Sequence, residues 1–477
     1  MSKTEISLFL LVFLCCGYFF NHGGWHQSAR YDAVYSAVES GTLEIRGWLP
    51  YPEKNFNTGD WARHDGRYFS NKAPGNSLAG AAVYAPGYWL AKLFYPAGFP
   101  VWLDLFFCYW INLGGSGLWT ALGAVFLFRL LRLYGSGERM ALGWAAIYAL
   151  ATPLWPYSTQ MWGAPMSAGC EIFALYSLAR RRSAAGGFWT GMALLSDYMA
   201  LAFVPVATAL ALYRADRRRI MLFCAGALPP ALLFAAYHAI CFGSPFRPAT
   251  FANNPEFLTP GATGGVATGF SPEVLLELLF GRRRGIFYQA PVLLAFFAGI
   301  GASWRAAGNR RRRMVLFVAG TLAMAVLNAS FNGWHGGYSS CARYLIPALP
   351  LIVLTAAGWR PQGRSWLIGL TALAAVSLAN MLILSAVSPG AADTVPDPLV
   401  EAWRMWWSDQ RYSCNLPRLY GMSQSWPDAY RLSRFSLGEL LGLSGKAALL
   451  PLIAVASLLI WFGCRTLRRR SRKKRAD

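Results

Sequence analysis

Apolar residues along this chain gather in blocks of about 15 to 20, not in the two-residue alternation of half-buried strands. Fourteen such blocks stand near 6–20, 76–94, 100–113, 116–133, 138–154, 165–181, 186–196, 198–213, 219–240, 288–303, 313–330, 344–358, 364–386 and 446–463. A bilayer core is crossed by about 20 helical residues, so the pattern predicts an all-α polytopic membrane protein. The 186–196 and 198–213 blocks are short and read equally as a re-entrant hairpin. They enter or leave the count together, which gives 12 to 14 crossings. The first block follows Lys3 and contains Cys15-Cys16-Gly17. It reads as a retained anchor, because no small-x-small cleavage site stands before the tryptophan- and histidine-containing stretch that follows.

The formal charge of +22 would suit nucleic acid, so its placement has to decide. Twenty-four of the 44 basic residues lie in six clusters: Arg132/Arg139, Arg180 to Arg182, Arg214 to Arg219, Arg305 to Arg313, Arg360/Arg364 and the tail from Arg465 to Arg475. Only Glu138, Asp216 and Asp477 accompany them. Arginine runs at the ends of apolar blocks mark cytoplasmic loops. Alternation from a cytoplasmic N-terminus puts all six inside, with the C-terminus also cytoplasmic and the tail anchored to lipid headgroups. Nucleic acid is thereby excluded as a partner. Four polar segments face outward: 21–75, 241–287, 331–343 and 387–445. The chain accordingly divides into a transmembrane region 1–386 that carries the first three, an outer-face segment 387–445, and a last helix with its basic tail, 446–477. Nine cysteines show no CxxC spacing, so neither a zinc site nor a disulfide framework is indicated. Cys341 and Cys414 both fall outside and either pair there or fill small apolar niches.

The first outer segment has the most internal structure. Ser28 suits a helix N-cap and Gly41 a stop, with Tyr31, Val34, Tyr35 and Val38 at i, i+3, i+4 and i+7 between them. The spacing predicts an amphipathic helix on the membrane surface, with Asp32, Ser36 and Glu39 on its opposite, wet face. Asp32 there either meets a substrate whose tail is in lipid or balances Arg30. Further on, GDWARHDGRYFSNKAPGN at 59–76 combines a tight-turn pair, Asp65-Gly66, with a short extended run, Arg67 to Ser70. Six acids and six bases crowd this 55-residue segment beside aromatic residues. Sugar hydroxyls want carboxylates and amides, and ring faces want aromatics.

An acid on an early surface helix, followed by a G-x-Y-x-x-K-x-P-like stretch (Gly66 to Pro74), resembles the polytopic glycosyltransferases of the GT-C type, relatives of the lipid A aminoarabinose transferases and protein O-mannosyltransferases. ATPLWPYST at 151–159, CFGSPF at 241–246, RRGIFYQAP at 283–291 and WHGGYSSCARYLIPALP from Trp334 extend the likeness in order, as far as the 387–445 segment. Two positions depart from it. Aligning on Arg30-Tyr31 puts Gln27-Ser28 where relatives carry an acidic pair, while helix phase puts Asp32 there. After ATPLWPYST, Trp162 to Pro165 replace an expected acid or histidine, with Gln160 the nearest polar residue.

The resemblance implies a GT-C-like bundle in a bacterial cytoplasmic membrane. It also implies a polyprenyl-phosphate sugar donor, an envelope acceptor and contact with membrane lipids. Such a reaction needs a carboxylate to take the acceptor proton and cations to steady the departing phosphate, a task that suits the planar fork of arginine. The candidates are Asp32 as base, with Asp60 as alternative base, orienting group or ligand of a divalent cation, the one cofactor left open. Arg30, Asp65, Tyr68, Lys72, Arg284, His335 and Arg343 are the substrate-binding candidates, Arg284 first for phosphate and Arg343 second. Arg282 and Arg283 read as a headgroup patch, Asp197 as a wet turn residue, His238 as a core histidine, and Trp403, Trp406 and Trp407 as interfacial anchors. A transporter of a lipid-linked sugar and a non-catalytic envelope scaffold are the competing classes. The first lacks the paired, Gly/Pro-broken helices of inverted repeats.

Overall fold

The computed structural model describes residues 1–21, 24–45, 58–213, 215–306, 308–357, 359, 363–408 and 434–476. Arg46, Lys54, Arg214, Arg360 and Cys414 lie outside the described residues. Each predicted apolar block coincides with a helix: α1 (Lys3–Tyr18), α3 (Gly75–Phe94), α4 (Val101–Asn112) and α5 (Leu118–Leu133), then helices Glu138–Leu150, Gly163–Ala179, Ser183–Ser196, Phe203–Leu212, Arg217–Phe242, Ala295–Trp304, Asn309–Ala329, Leu349–Ala356, Arg364–Val387 and Leu450–Ala476. The fold is all-α and multi-pass. Five helices among the described residues are long and apolar enough to cross a membrane, Trp102–Leu133 and Arg217–Phe242 among them. Their outer faces leave large apolar side chains such as Leu232, Trp366, Ile368 and Leu458 exposed, as a lipid-facing surface requires.

Two predicted blocks, 100–113 and 116–133, join into one helix. A widened π turn, Leu113–Gly117, links α4 to α5, and the Gly115 carbonyl beside it accepts from the Asn76 amide of α3 at 2.6 Å. A single core runs through α1, α5, Gly163–Ala179 and the helices after Ile286. At one end of the bundle Arg129 of α5 donates to Glu5 of α1 at 2.7 and 3.2 Å, a bidentate contact between two helix ends.

The helix in the first polar segment, α2 (Trp25–Glu39), starts three residues before the predicted Ser28 cap, with Gly24 as its N-cap. Its apolar stripe packs as predicted: Tyr31 and Val34 meet Tyr84, Tyr88, Phe107 and Ile111 of α3 and α4. The opposite face is a correction. Arg30, Asp32 and Ser36 are buried there, Asp32 at 3% exposure, so α2 is sunk between protein elements and does not lie on a membrane surface with one face in water. Gln27 on it donates to Gln160 at 2.6 Å, which ties α2 to the segment where the sequence lacks the acid of its look-alikes.

Strands are few and short. β1 (Phe19–Asn21) continues α1 and pairs antiparallel with β4 (Arg434–Ser436). β2 (Trp61–His64) and β3 (Arg67–Ser70), the extended run that was expected, form a hairpin around the tight turn expected at Asp65-Gly66. Both turn residues have positive φ, 47° and 76°, the pairing that matches the twist of a two-residue hairpin. The hairpin docks on Tyr237, Cys241 and Phe242, and its His64 sits against Gly243 of the CFGSPF stretch.

Candidate functional site

Three separate sequence stretches build one polar frame. Arg284, in the turn before Ile286, donates from Nε to the His335 carbonyl at 2.6 Å, from Nη2 to Gly337 at 3.1 Å and from Nη1 to Arg283 at 3.0 Å. At the end of the short helix that follows, Ile286–Gln289, Gln289 donates to the Ser340 carbonyl at 2.5 Å. Tyr157, from ATPLWPYST, shares a hydrogen bond with Ser339. These contacts hold the WHGGYSS loop in place. Gly336 and Gly337 then turn the chain with φ of 75° and 58°, and a Cβ on Gly336 would lie 2.7 Å from the Arg343 Nε. Glycine is required there for its backbone conformation and for that close approach.

Beside this loop lies a cavity of about 620 Å³. Its wall carries His26, Asp60 and Lys72 from the polar segment 21–75, Asn253 and Glu256 from 241–287, Asn332, His335 and Arg343 from 331–343, and Asp393 from 387–445. Trp25, Trp162, Phe257, Phe331, Tyr338 and Tyr344 supply ring faces. Lys72 Nζ stands 2.9 Å from Asp60 Oδ1, each side chain 14% exposed. Burial pushes the Lys72 ammonium down to about 8, with Arg343 and Arg30 adding to the fall and Asp60 opposing it. Arg343 lies over the Trp162 ring at 4.6 Å and donates to the Tyr344 hydroxyl at 3.0 Å, while its buried Nε has no hydrogen-bond partner among the described residues. His335 accepts the Gly337 amide at Nδ1, 3.0 Å away, which leaves its proton on Nε2. Burial and the nearby Arg284 hold it below the ordinary histidine range.

Of the residues singled out in the sequence, Asp60, Lys72, His335 and Arg343 line this cavity. Five others do not. Asp32 is buried on α2. Arg30 is buried beneath the wall, where Nη1 donates to the Ala73 carbonyl at 3.1 Å. Asp65 is 82% exposed at the hairpin tip. Tyr68 packs edge-on against Trp61. Arg284 has no exposed surface and its donors are bound to carbonyls, so it frames the loop where a donor-phosphate contact was expected. Asp197 also departs from expectation: it is half-buried and caps the next turn through the Met199 amide at 3.0 Å. His238 is a buried histidine bonded to the Phe234 carbonyl at 2.9 Å. Trp403 donates to Asn380 at 3.0 Å, and Trp407 is exposed.

His26, Asn253, Glu256 and Asp393 escaped the sequence reading. They come from segments up to several hundred residues apart, and no local spacing marks them. For His26 a signal existed in the polar stretch directly after the first apolar block. Among the described residues no three His, Cys, Asp or Glu side chains converge as a cation cage, and Lys72 already occupies one oxygen of Asp60.

No family model matches the chain, and no curated protein matches it. Two solved structures are similar. ArnT from Cupriavidus metallidurans in the apo state is 17% identical with a TM-score of 0.45, covering 84% of this chain and 67% of that one. ArnT from the same organism bound to undecaprenyl phosphate is 14% identical with a TM-score of 0.47, covering 98% and 77%.

Proposed function

We propose that this protein transfers a sugar from a polyprenyl-phosphate donor to a hydroxyl of an envelope glycan, lipid or protein at the outer face of a bacterial cytoplasmic membrane. The observation that carries the reading is the Asp60–Lys72 pair in a cavity that also presents Arg343, five asparagine and histidine side chains and a set of ring faces. A site for an apolar ligand has no use for that lining, since each buried polar group would cost about 1–3 kcal/mol if left unmet.

The chemistry follows from the residues. Arg343, whose Nε has no hydrogen-bond partner among the described residues, and the Lys72 ammonium line the same cavity, and together they balance a phosphate. When the phosphate takes Lys72, the ion pair loosens and the Asp60 carboxylate is released next to the sugar. Asp60 then receives the acceptor proton, the acceptor oxygen bonds to the anomeric carbon, and the electron pair of the breaking C–O bond leaves with the phosphate between Lys72 and Arg343. This gives Asp60 the base role that the sequence first suggested for Asp32.

Two measurements test this. A strain without the protein should lose one envelope sugar and accumulate its lipid-linked donor, read by mass spectrometry. Asp60→Asn should lower turnover at least about 10²-fold while the protein still expresses and binds undecaprenyl phosphate. Unchanged lipid-linked sugars in the deletion strain, or full activity in Asp60→Asn, would remove the reading.

A further inference from the structure

Arg30 is nearly fully buried, and its Nε–H, a group that can only donate, lies 3.2 Å from His26 Nε2. That contact makes Nε2 the acceptor and leaves the imidazole proton on Nδ1. The ring is held flat against Trp162, centroids 3.8 Å apart and 21° from parallel, so the Nδ1–H direction is fixed. Burial, reinforced by Lys72, Arg30 and Arg343, keeps His26 well below the ordinary histidine range and therefore neutral. Nδ1 is buried with no hydrogen-bond partner among the described residues. The nearest carboxylate oxygen, Asp60 Oδ2, is 4.0 Å away. That is too long for a hydrogen bond between them, and it is the separation that a single oxygen bonded at about 2.8 Å to both would bridge at roughly a right angle.

We infer that His26 and Asp60 together hold the attacking hydroxyl of the acceptor: the hydroxyl oxygen accepts from His26 Nδ1–H and donates its own proton to Asp60 Oδ2. This rests on the transferase reading and deepens it, because the pair specifies the nucleophile. A hydroxyl is both donor and acceptor and satisfies both groups. An ammonium has no lone pair for Nδ1–H, and a carboxylate has no proton for Asp60. As Asp60 takes the proton, the oxygen keeps its bond from His26 while a second lone pair closes on the anomeric carbon, and the phosphate departs with the electrons of the old bond. Arg30 is a positioning residue: it never reaches the cavity and acts by fixing which nitrogen of His26 carries the proton.

The test is nitrogen-15 NMR of the full-length, histidine-labelled protein in nanodiscs, with the His26 signals assigned by their loss in His26→Phe, which keeps the ring stack. The expected spectrum has the proton on Nδ1, and its resonance moves when methyl glucoside is added as a hydroxyl probe. In Arg30→Met the signal should shift toward the other tautomer. In membranes supplied with the lipid-linked sugars that accumulate in the deletion strain, His26→Phe should lower turnover roughly 10- to 100-fold with undecaprenyl phosphate binding intact. His26→Asn, which offers an N–H near the Nδ1 position, should recover part of that loss. A proton on Nε2, or an Nδ1 signal blind to methyl glucoside in protein that binds undecaprenyl phosphate, overturns the inference and leaves the transferase reading standing. Failure to bind undecaprenyl phosphate at all removes the transferase reading, and this inference with it.

Discussion

Two buried arginines lie on either side of one glycine-rich loop and differ in everything except residue type. Arg284 has its Nε and both terminal nitrogens on backbone carbonyls, and burial lowers it only to about 10, so it remains charged with all three nitrogens engaged. Arg343 has one bond to Tyr344 and a ring beneath it, and its buried Nε has no hydrogen-bond partner among the described residues. Burial alone therefore says little about an arginine's task. What separates a framing cation from a ligand-binding one is how many of its donors the protein itself has already used.

The comparison is broken most forcefully by removing the framing member. Arg284→Met leaves the carbonyls of His335 and Gly337 buried without their donor, and each unmet group costs about 1–3 kcal/mol. A loss of about 3 to 5 kcal/mol is expected, seen as a sharp fall in thermal unfolding temperature in detergent, with activity lost only in step with folded protein. If Arg284→Met keeps its unfolding temperature but stops binding donor, Arg284 touches the phosphate after all.

The converse substitution sharpens the contrast. Arg343→Lys keeps a charge near Trp162 but loses the planar fork. Undecaprenyl phosphate affinity should fall by about 1 to 3 kcal/mol, roughly tenfold or more, while the unfolding temperature hardly moves. Equal affinity in Arg343→Lys would mean that the phosphate sits elsewhere.

Most of the architecture was legible because lipid is an undemanding solvent: long apolar runs such as 364–386 have one way to satisfy their backbone. The hairpin was legible as well, since Asp65-Gly66 is a local signal. The site was legible only in part. Lys72 and Arg343 stood out as cations in polar stretches. Arg284 stood out for the same reason and is a frame, because nothing in RRGIFYQAP shows that three carbonyls wait for it. Asp32 fitted a helical wheel that presumed water on its far face, and the neighbouring elements filled that face instead. His26 was passed over because the helix starts at Trp25, earlier than its best capping residue, which turned a presumed linker into cavity wall.

The smallest expected effect concerns Lys72, whose ammonium carries less of the phosphate charge as pH rises. Its ordinary range lies well above neutrality, and burial pushes it down to about 8. Below that value the empty site holds the proton that phosphate binding needs. Above it, binding must first take up a proton, so affinity falls by at most about tenfold per pH unit. The fall ends at the higher pKa that a bound phosphate gives Lys72. Arg343 stays charged over this range and His26 stays neutral, so neither adds a slope of its own. Undecaprenyl phosphate affinity measured from pH 7 to 10 should therefore bend downward near 8, and Lys72→Arg, charged throughout, should flatten the curve. A flat profile in the unaltered protein would place Lys72 outside the phosphate contact and leave that task to Arg343 alone.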